Sequence, residues 1–165
     1  MPLRYLIKLL FIGSIALFSA CQHSEKSATK TPTLIDLQAE ARATLYRYFD
    51  AIKEKGLLAE FVYLDSSDDF YWCPPGSTMA LDYDSIASVL NSSANRYRTI
   101  DNSWEHLRIT MIGEHHASYN GILKSHVVDT SGFSSQLRLI ETGILIHRTD
   151  GWKLLSGQTA VIGTY

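Results

Sequence analysis

Glu141 is the residue of this chain best placed to do chemistry. It stands in Leu139-Ile140-Glu141-Thr142-Gly143-Ile144-Leu145, where strand alternation puts it on one side with Leu139 and Leu145. A carboxyl among apolar neighbours keeps its proton to a higher pH than one in water, because burial disfavours the charged form. Such a group suits general acid or base work near neutrality. A plainer role also fits the position, in which Glu141 pairs with a cation or caps a backbone group.

A register extends that face. With Asp150-Gly151 as a two-residue turn, Thr149 pairs with Trp152, His147 with Leu154, Leu145 with Ser156, Gly143 with Gln158 and Glu141 with Ala160. Glu141, Leu139, Leu145 and His147 then share a face with Trp152, Leu154, Ser156 and Gln158. An extra residue at Gly143 would turn Glu141 to the other side. Tyr71-Trp72 and Trp104-Glu105-His106 offer further walls, since small-molecule sites are mostly apolar and aromatic with few polar groups. Tyr71, His106 and Gln158 are the donors that could assist Glu141. Each aromatic position fits ordinary core packing as well.

The opposite face carries Ile140, Ile144, Ile146, Leu155 and Val161. A soluble monomer rarely leaves such a patch bare, so it is expected to meet a second copy of the chain. Cover by a helix of the same chain is the alternative.

Other chemistries find no support. His115-His116 are adjacent, so in a strand they point to opposite sides and chelate poorly. No HExxH, CxxC or carboxylate-rich loop is present, and neither a metal nor a cofactor is expected. Gly-rich phosphate loops and Gly-x-Ser-x-Gly elbows are missing too. Cys73 lies between Tyr71-Trp72 and Pro74-Pro75 with no flanking cation to lower its pKa, which reads as structural. With 15 basic residues against 17 acidic and no arginine-rich run, nucleic-acid binding is set aside.

These residues need elements to position them. Thr33, with Asp36 three residues on, reads as an N-cap, and Leu34, Leu37, Ala41, Leu45, Tyr48 and Ile52 form one helical stripe up to Gly56. Leu57, Leu58, Phe61 and Val62 suggest a short second helix. Phe70-Tyr71-Trp72 reads as an aromatic strand ended by Pro74-Pro75-Gly76, and Asp82 as the cap of a third helix carrying Ile86, Val89 and Leu90. Turn signals at Gly113-Glu114, Ser131-Gly132 and Asp150-Gly151 then divide four strands near 98–112, 115–130, 133–149 and 152–164. Asn120-Gly121 and Thr142-Gly143 fall inside strands, where glycine suggests bulges or kinks that curve the sheet. Helices followed by an antiparallel meander make the class α+β.

The long helix at 33–55, the order of three helices then four strands, and the closing Arg148-Thr149-Asp150-Gly151-Trp152-Lys153-Leu154-Leu155 resemble the nuclear-transport-factor-2-like (SnoaL-like) superfamily. The resemblance covers 34–165. It implies a cone of curved sheet closed by helices, with the Trp152 face concave, and sheet-to-sheet dimers in many members. Activities in that superfamily range from isomerases, cyclases, dehydratases and epoxide hydrolases to association domains, so the fold does not choose among them.

The N-terminus gives an address. Arg4 and Lys8 precede the apolar run Leu9–Phe18, which is about half the roughly 20 residues needed to span a bilayer, and Ser19-Ala20 lead into Cys21. This resembles a bacterial lipoprotein signal, implying that 1–20 are removed and Cys21 carries a lipid. An uncleaved anchor or an ordinary secretory signal are the alternatives. Residues 21–33 then form a Ser/Thr/Lys-rich tether. Gln22 in place of Asp points to the outer membrane, facing the periplasm.

The expectation is a membrane-anchored cone, dimeric, holding a small apolar or amphipathic molecule. Two other readings stay open: a cofactor-independent isomerase, cyclase or hydrolase using Glu141, and a structural dimerisation module whose cone is filled by Trp72, Trp104 and Trp152.

Overall fold

A computed structural model describes residues 31–165; the expected leader, Cys21 and most of the tether lie outside them. Helix α1 runs Leu34–Lys55, opened by a capping box. The Asp36 amide donates to the Thr33 hydroxyl, and the Thr33 amide and hydroxyl donate to the Asp36 carboxylate. Its buried face is Leu37, Ala41, Thr44, Leu45, Phe49 and Ile52. Leu57–Val62 follows as a 3-10 turn, then strand β1 (Tyr71–Cys73) and helix α2 (Tyr83–Ser93), whose Asp82 cap accepts from the Ser85 amide. Four long strands complete the chain: β2 (Tyr97–Met111), β3 (His116–Asp129), β4 (Ser134–Arg148) and β5 (Gly151–Thr164).

The sheet order is β1-β5-β4-β3-β2, antiparallel throughout except that β1 lies parallel to β5. Helix α1 crosses the concave side, and its stripe meets Ile109, Tyr119, Leu145, Trp152 and Leu154 in one core. A second core joins Phe49 and Ile52 to Leu123 and Leu139. Each of these aliphatic side chains contributes roughly 1.5–3 kcal/mol by leaving water. Gln38 and Arg42 also donate from α1 to the Ile109 and Leu107 carbonyls of β2. An outer strand is thereby kept from offering bare acceptors to another chain.

The hairpin between β4 and β5 corrects the expected register. Arg148 pairs with Gly151 and His147 with Trp152, so the turn residues are Thr149 and Asp150. Near the turn this slip preserves the expected sides, and Trp152 and Leu154 still face the core. An extra residue at Leu155 then shifts the pairing, so that Ile144 meets Ser156 and Glu141 meets Thr159. Such a bulge exchanges the two sides of everything beyond it. The bulges are not at the strand glycines: besides Leu155, they fall at Arg98, Glu105 and Ile162.

The outer patch is changed accordingly. Ile140 stays outward and 43% exposed, with Thr142 between it and Ile144 on that side. Ile146 is already buried, Leu155 is the bulge residue, and Val161 now pairs with inward-facing Leu139. The expected five-residue apolar face is therefore smaller and broken.

Candidate functional site

Glu141 keeps its inward direction because the bulge is on β5, leaving the alternation of β4 undisturbed. It is 6% exposed. The Tyr119 hydroxyl donates to its Oε1 at 2.9 Å and the Thr159 hydroxyl to its Oε2 at 3.1 Å. Thr159 is its direct partner across β4–β5.

Tyr119 reaches Glu141 diagonally. Its own partner on β4 is Gly143, two residues further along the same face. A Cβ on Gly143 would lie 2.5 Å from the Ser156 carbonyl oxygen and 2.9 Å from a Tyr119 ring carbon. The ring thus occupies the space a side chain would need. Gly143 pairs in turn with Gly157, where Trp72 is seated in the same way, its ring 2.6 Å from the missing Cβ. Trp104 does likewise at Gly121. Glycine inside these strands makes room for rings.

A second acid faces the same space. Glu60, from the 3-10 turn, accepts from the Tyr48 hydroxyl of α1 at 2.9 Å. Burial pushes the pKa of Glu141 up to about 7 against the donated hydroxyls of Tyr119 and Thr159. Burial does the same for Glu60, also to about 7, with the nearby Glu141 adding to it and the Tyr48 hydroxyl opposing. Both tyrosines are held well above the usual phenol range, first by burial and next by the charges of these acids.

Glu60, Glu141 and Thr159 line a cavity of about 210 Å³ inside the cone. Most of its wall is apolar, including Phe49, Phe70, Trp72, Ile86, Leu123 and Leu139. Pro74, Pro75 and Val89 belong to it as well, and Val89 is 42% exposed, so this wall reaches the surface. Asn102 completes the lining, and its Oδ1 is buried without a hydrogen-bond partner. Ligand sites usually measure roughly 300–1,000 Å³, so this one suits a compact guest.

The expected wall residues divide. Trp72 lines the cavity beside Glu141. Trp104 and Trp152 face inward but are packed in the core, Trp104 against Phe49 and Tyr119. His147 lies 4.9 Å ring to ring from Trp152, with its Nε2 3.8 Å from Glu40 of α1, and does not line the cavity. Tyr71, Ser156 and Gln158 do come together, but around a hollow of about 360 Å³ on the convex side. The Leu155 bulge sends Ser156 and Gln158 there, and strand alternation opposite Trp72 sends Tyr71. His106 is exposed on the convex side because the extra residue at Glu105 separates it from inward-facing Trp104.

Tyr48, Glu60, Asn102, Tyr119 and Thr159 were not legible as site residues. Glu60 sits in a segment readable only by its apolar neighbours, and Thr159 is placed by a bulge that no residue type announces. The larger groove of about 610 Å³ at Asp65, Arg148 and Lys153 is polar and open. Its two cations are already engaged, Arg148 with Asp65 at 2.6 Å and Lys153 with Asp150 at 2.8 Å. Among the described residues no three His, Cys, Asp or Glu side chains gather as a metal site.

No family model matches the chain, and no curated protein does. Solved structures do. A nuclear transport factor 2 (NTF2-like) superfamily protein from Salmonella enterica serovar Typhimurium aligns with a TM-score of 0.67 at 12% identity, over 81% of this chain and 94% of that one. An uncharacterised protein with a cystatin-like fold from Caulobacter vibrioides gives 0.61 at 14% identity, over 77% and 90%. A ketosteroid isomerase-like protein from Erwinia carotovora gives 0.61 at 17% identity, over 76% and 96%. At such identities the likeness is one of fold.

Proposed function

We propose that this chain, which has the nuclear-transport-factor-2-like fold, uses its cone to bind a compact, largely apolar molecule, with Glu141 as the main polar contact. The observation that carries this is the apolar cavity whose wall reaches the surface at Val89 and includes two carboxyls. A core built only for stability gains nothing from burying two acids without cations, since each desolvated charge costs free energy. The experiment is native mass spectrometry of the full chain, with bound species released and weighed, followed by titration with 2-phenylethanol. A reproducible guest, or a probe bound in the cone by NMR shifts at Trp72 and Thr159, is expected. A protein that is apo and indifferent to the probe overturns the reading and favours the structural module.

A second reading is an acid/base enzyme, favoured by one observation: both carboxyls titrate near neutrality, where proton transfer is most efficient. The ketosteroid isomerase-like protein shares this fold. Under this reading the released guest, returned to the protein in D2O, exchanges a carbon-bound proton, and Glu141→Gln stops the exchange.

Two further parts of the proposal rest on the sequence. Lipid attachment at Cys21 would tether the cone to the outer membrane, and pairing through the convex side around Ile140 and Ile144 would make the dimer.

A further inference from the structure

The donors and acceptors of the cavity are unequal. Tyr48, Tyr119 and Thr159 each spend their hydroxyl proton on Glu60 or Glu141. What faces the space is therefore acceptor-rich: two carboxyls and the unpartnered Oδ1 of Asn102. No Lys, Arg or His is among the lining residues. The titratable groups facing Glu141 are Tyr48, Glu60 and Tyr119, and none of them supplies positive charge. An anionic guest would meet two acids, and a guest with acceptors alone would leave Asn102 unpaired, at the desolvation cost of an orphaned polar atom. Around these acceptors stand the rings of Tyr48, Phe49, Phe70 and Trp72, whose faces attract a desolvated cation.

We infer that the guest is a protonated amine on a compact apolar body, its N–H donors shared between Asn102 and the carboxyls of Glu60 and Glu141. This rests on the reading of the cone as a binding site and names the chemical class that site takes. The ammonium is the countercharge that none of the described lining residues supplies. Since an ionised carboxyl is needed to receive it, binding expels a proton at lower pH, and affinity rises with pH through neutrality.

The test is calorimetric titration of the full chain with matched probes, 2-phenylethylammonium, 2-phenylethanol and phenylacetate, at pH 6 and pH 8. The ammonium is expected to bind at least tenfold more tightly than the alcohol at pH 8. Its affinity should gain on the order of tenfold between the two pH values, as a carboxyl of pKa about 7 ionises, and phenylacetate should not bind. Glu141→Gln should remove most of the ammonium's advantage over the alcohol and weaken its pH dependence, with Glu60 left to titrate. Glu60→Gln is the second variant, each checked for fold by circular dichroism. An alcohol that binds as well as the ammonium overturns the inference and leaves the binding site standing. If neither probe binds and no guest co-purifies, both fall together.

Discussion

The hydroxyl of Tyr119 donates to the carboxyl of Glu141 at 2.9 Å by lying across Gly143, its own cross-strand partner. The acid is thus oriented by a residue on the neighbouring strand, through a gap that only a missing side chain provides. Removing the hydroxyl alone, in Tyr119→Phe, takes away a bond that favours the ionised acid. The pKa of Glu141 should move up from about 7. A carboxyl-carbon NMR titration reads this directly, and an unchanged or lowered value would refute the geometry.

Filling the gap should be more costly. In Gly143→Ala the new methyl meets the Ser156 carbonyl at 2.5 Å, a backbone atom that cannot rotate away. A loss of about 1–3 kcal/mol is expected from such overpacking, read by urea unfolding. The Tyr119–Glu141 bond should be lost with it. An alanine variant of native stability would show that the strands separate more easily than this contact implies.

The two raised acids set the sign of the pH dependence. Both have folded-state pKa values near 7, above the usual carboxylate range. The folded chain therefore binds more protons than the unfolded one between about pH 4.5 and pH 7, and its stability falls as pH rises through that window. Glu141→Gln keeps a neutral acceptor for Tyr119 and removes one of the two contributions. The variant should match the natural protein near pH 4 and exceed it at pH 8 by on the order of 3 kcal/mol. Thermal melts across this range decide it: a variant no more stable at pH 8 means the acid is not buried in solution.

At the other end of the domain, Thr33→Ala removes the hydroxyl of the α1 capping box. A cost of about 1 kcal/mol is expected, measured by urea unfolding, with guest binding unaffected because α1 reaches the cavity only further along, at Tyr48 and Phe49.

Periodicity and caps made the frame legible. Thr33, Gly56 and Asp82 bound their helices as read, and the four long strands fall within a residue or so of their expected limits. The inward face of β4, and with it Glu141, follows from alternation alone. The far half of β5 does not: one extra residue at Leu155 sends Gln158 outward and brings Thr159 to Glu141. Bulges are set by how twisted strands accommodate one another, and no single residue signals one. The strand glycines were visible but read as bends, because their aromatic occupants come from other strands: Trp104 from β2, Tyr119 from β3 and Trp72 from β1. Glu60 was hidden for a related reason, since Tyr48 reaches it from a different helix.

The ring seated on Gly143 also has a consequence in time. Tyr119 is 1% exposed, its ring filling the space a Gly143 side chain would need and its hydroxyl tied to Glu141. A half-turn about its axis must break that hydrogen bond and push aside the side chains packed around the ring, so it waits on a brief loosening of the core. The flip rate of this one aromatic side chain is then a clock for breathing of the core around Glu141, slowing whenever a guest holds that acid in place.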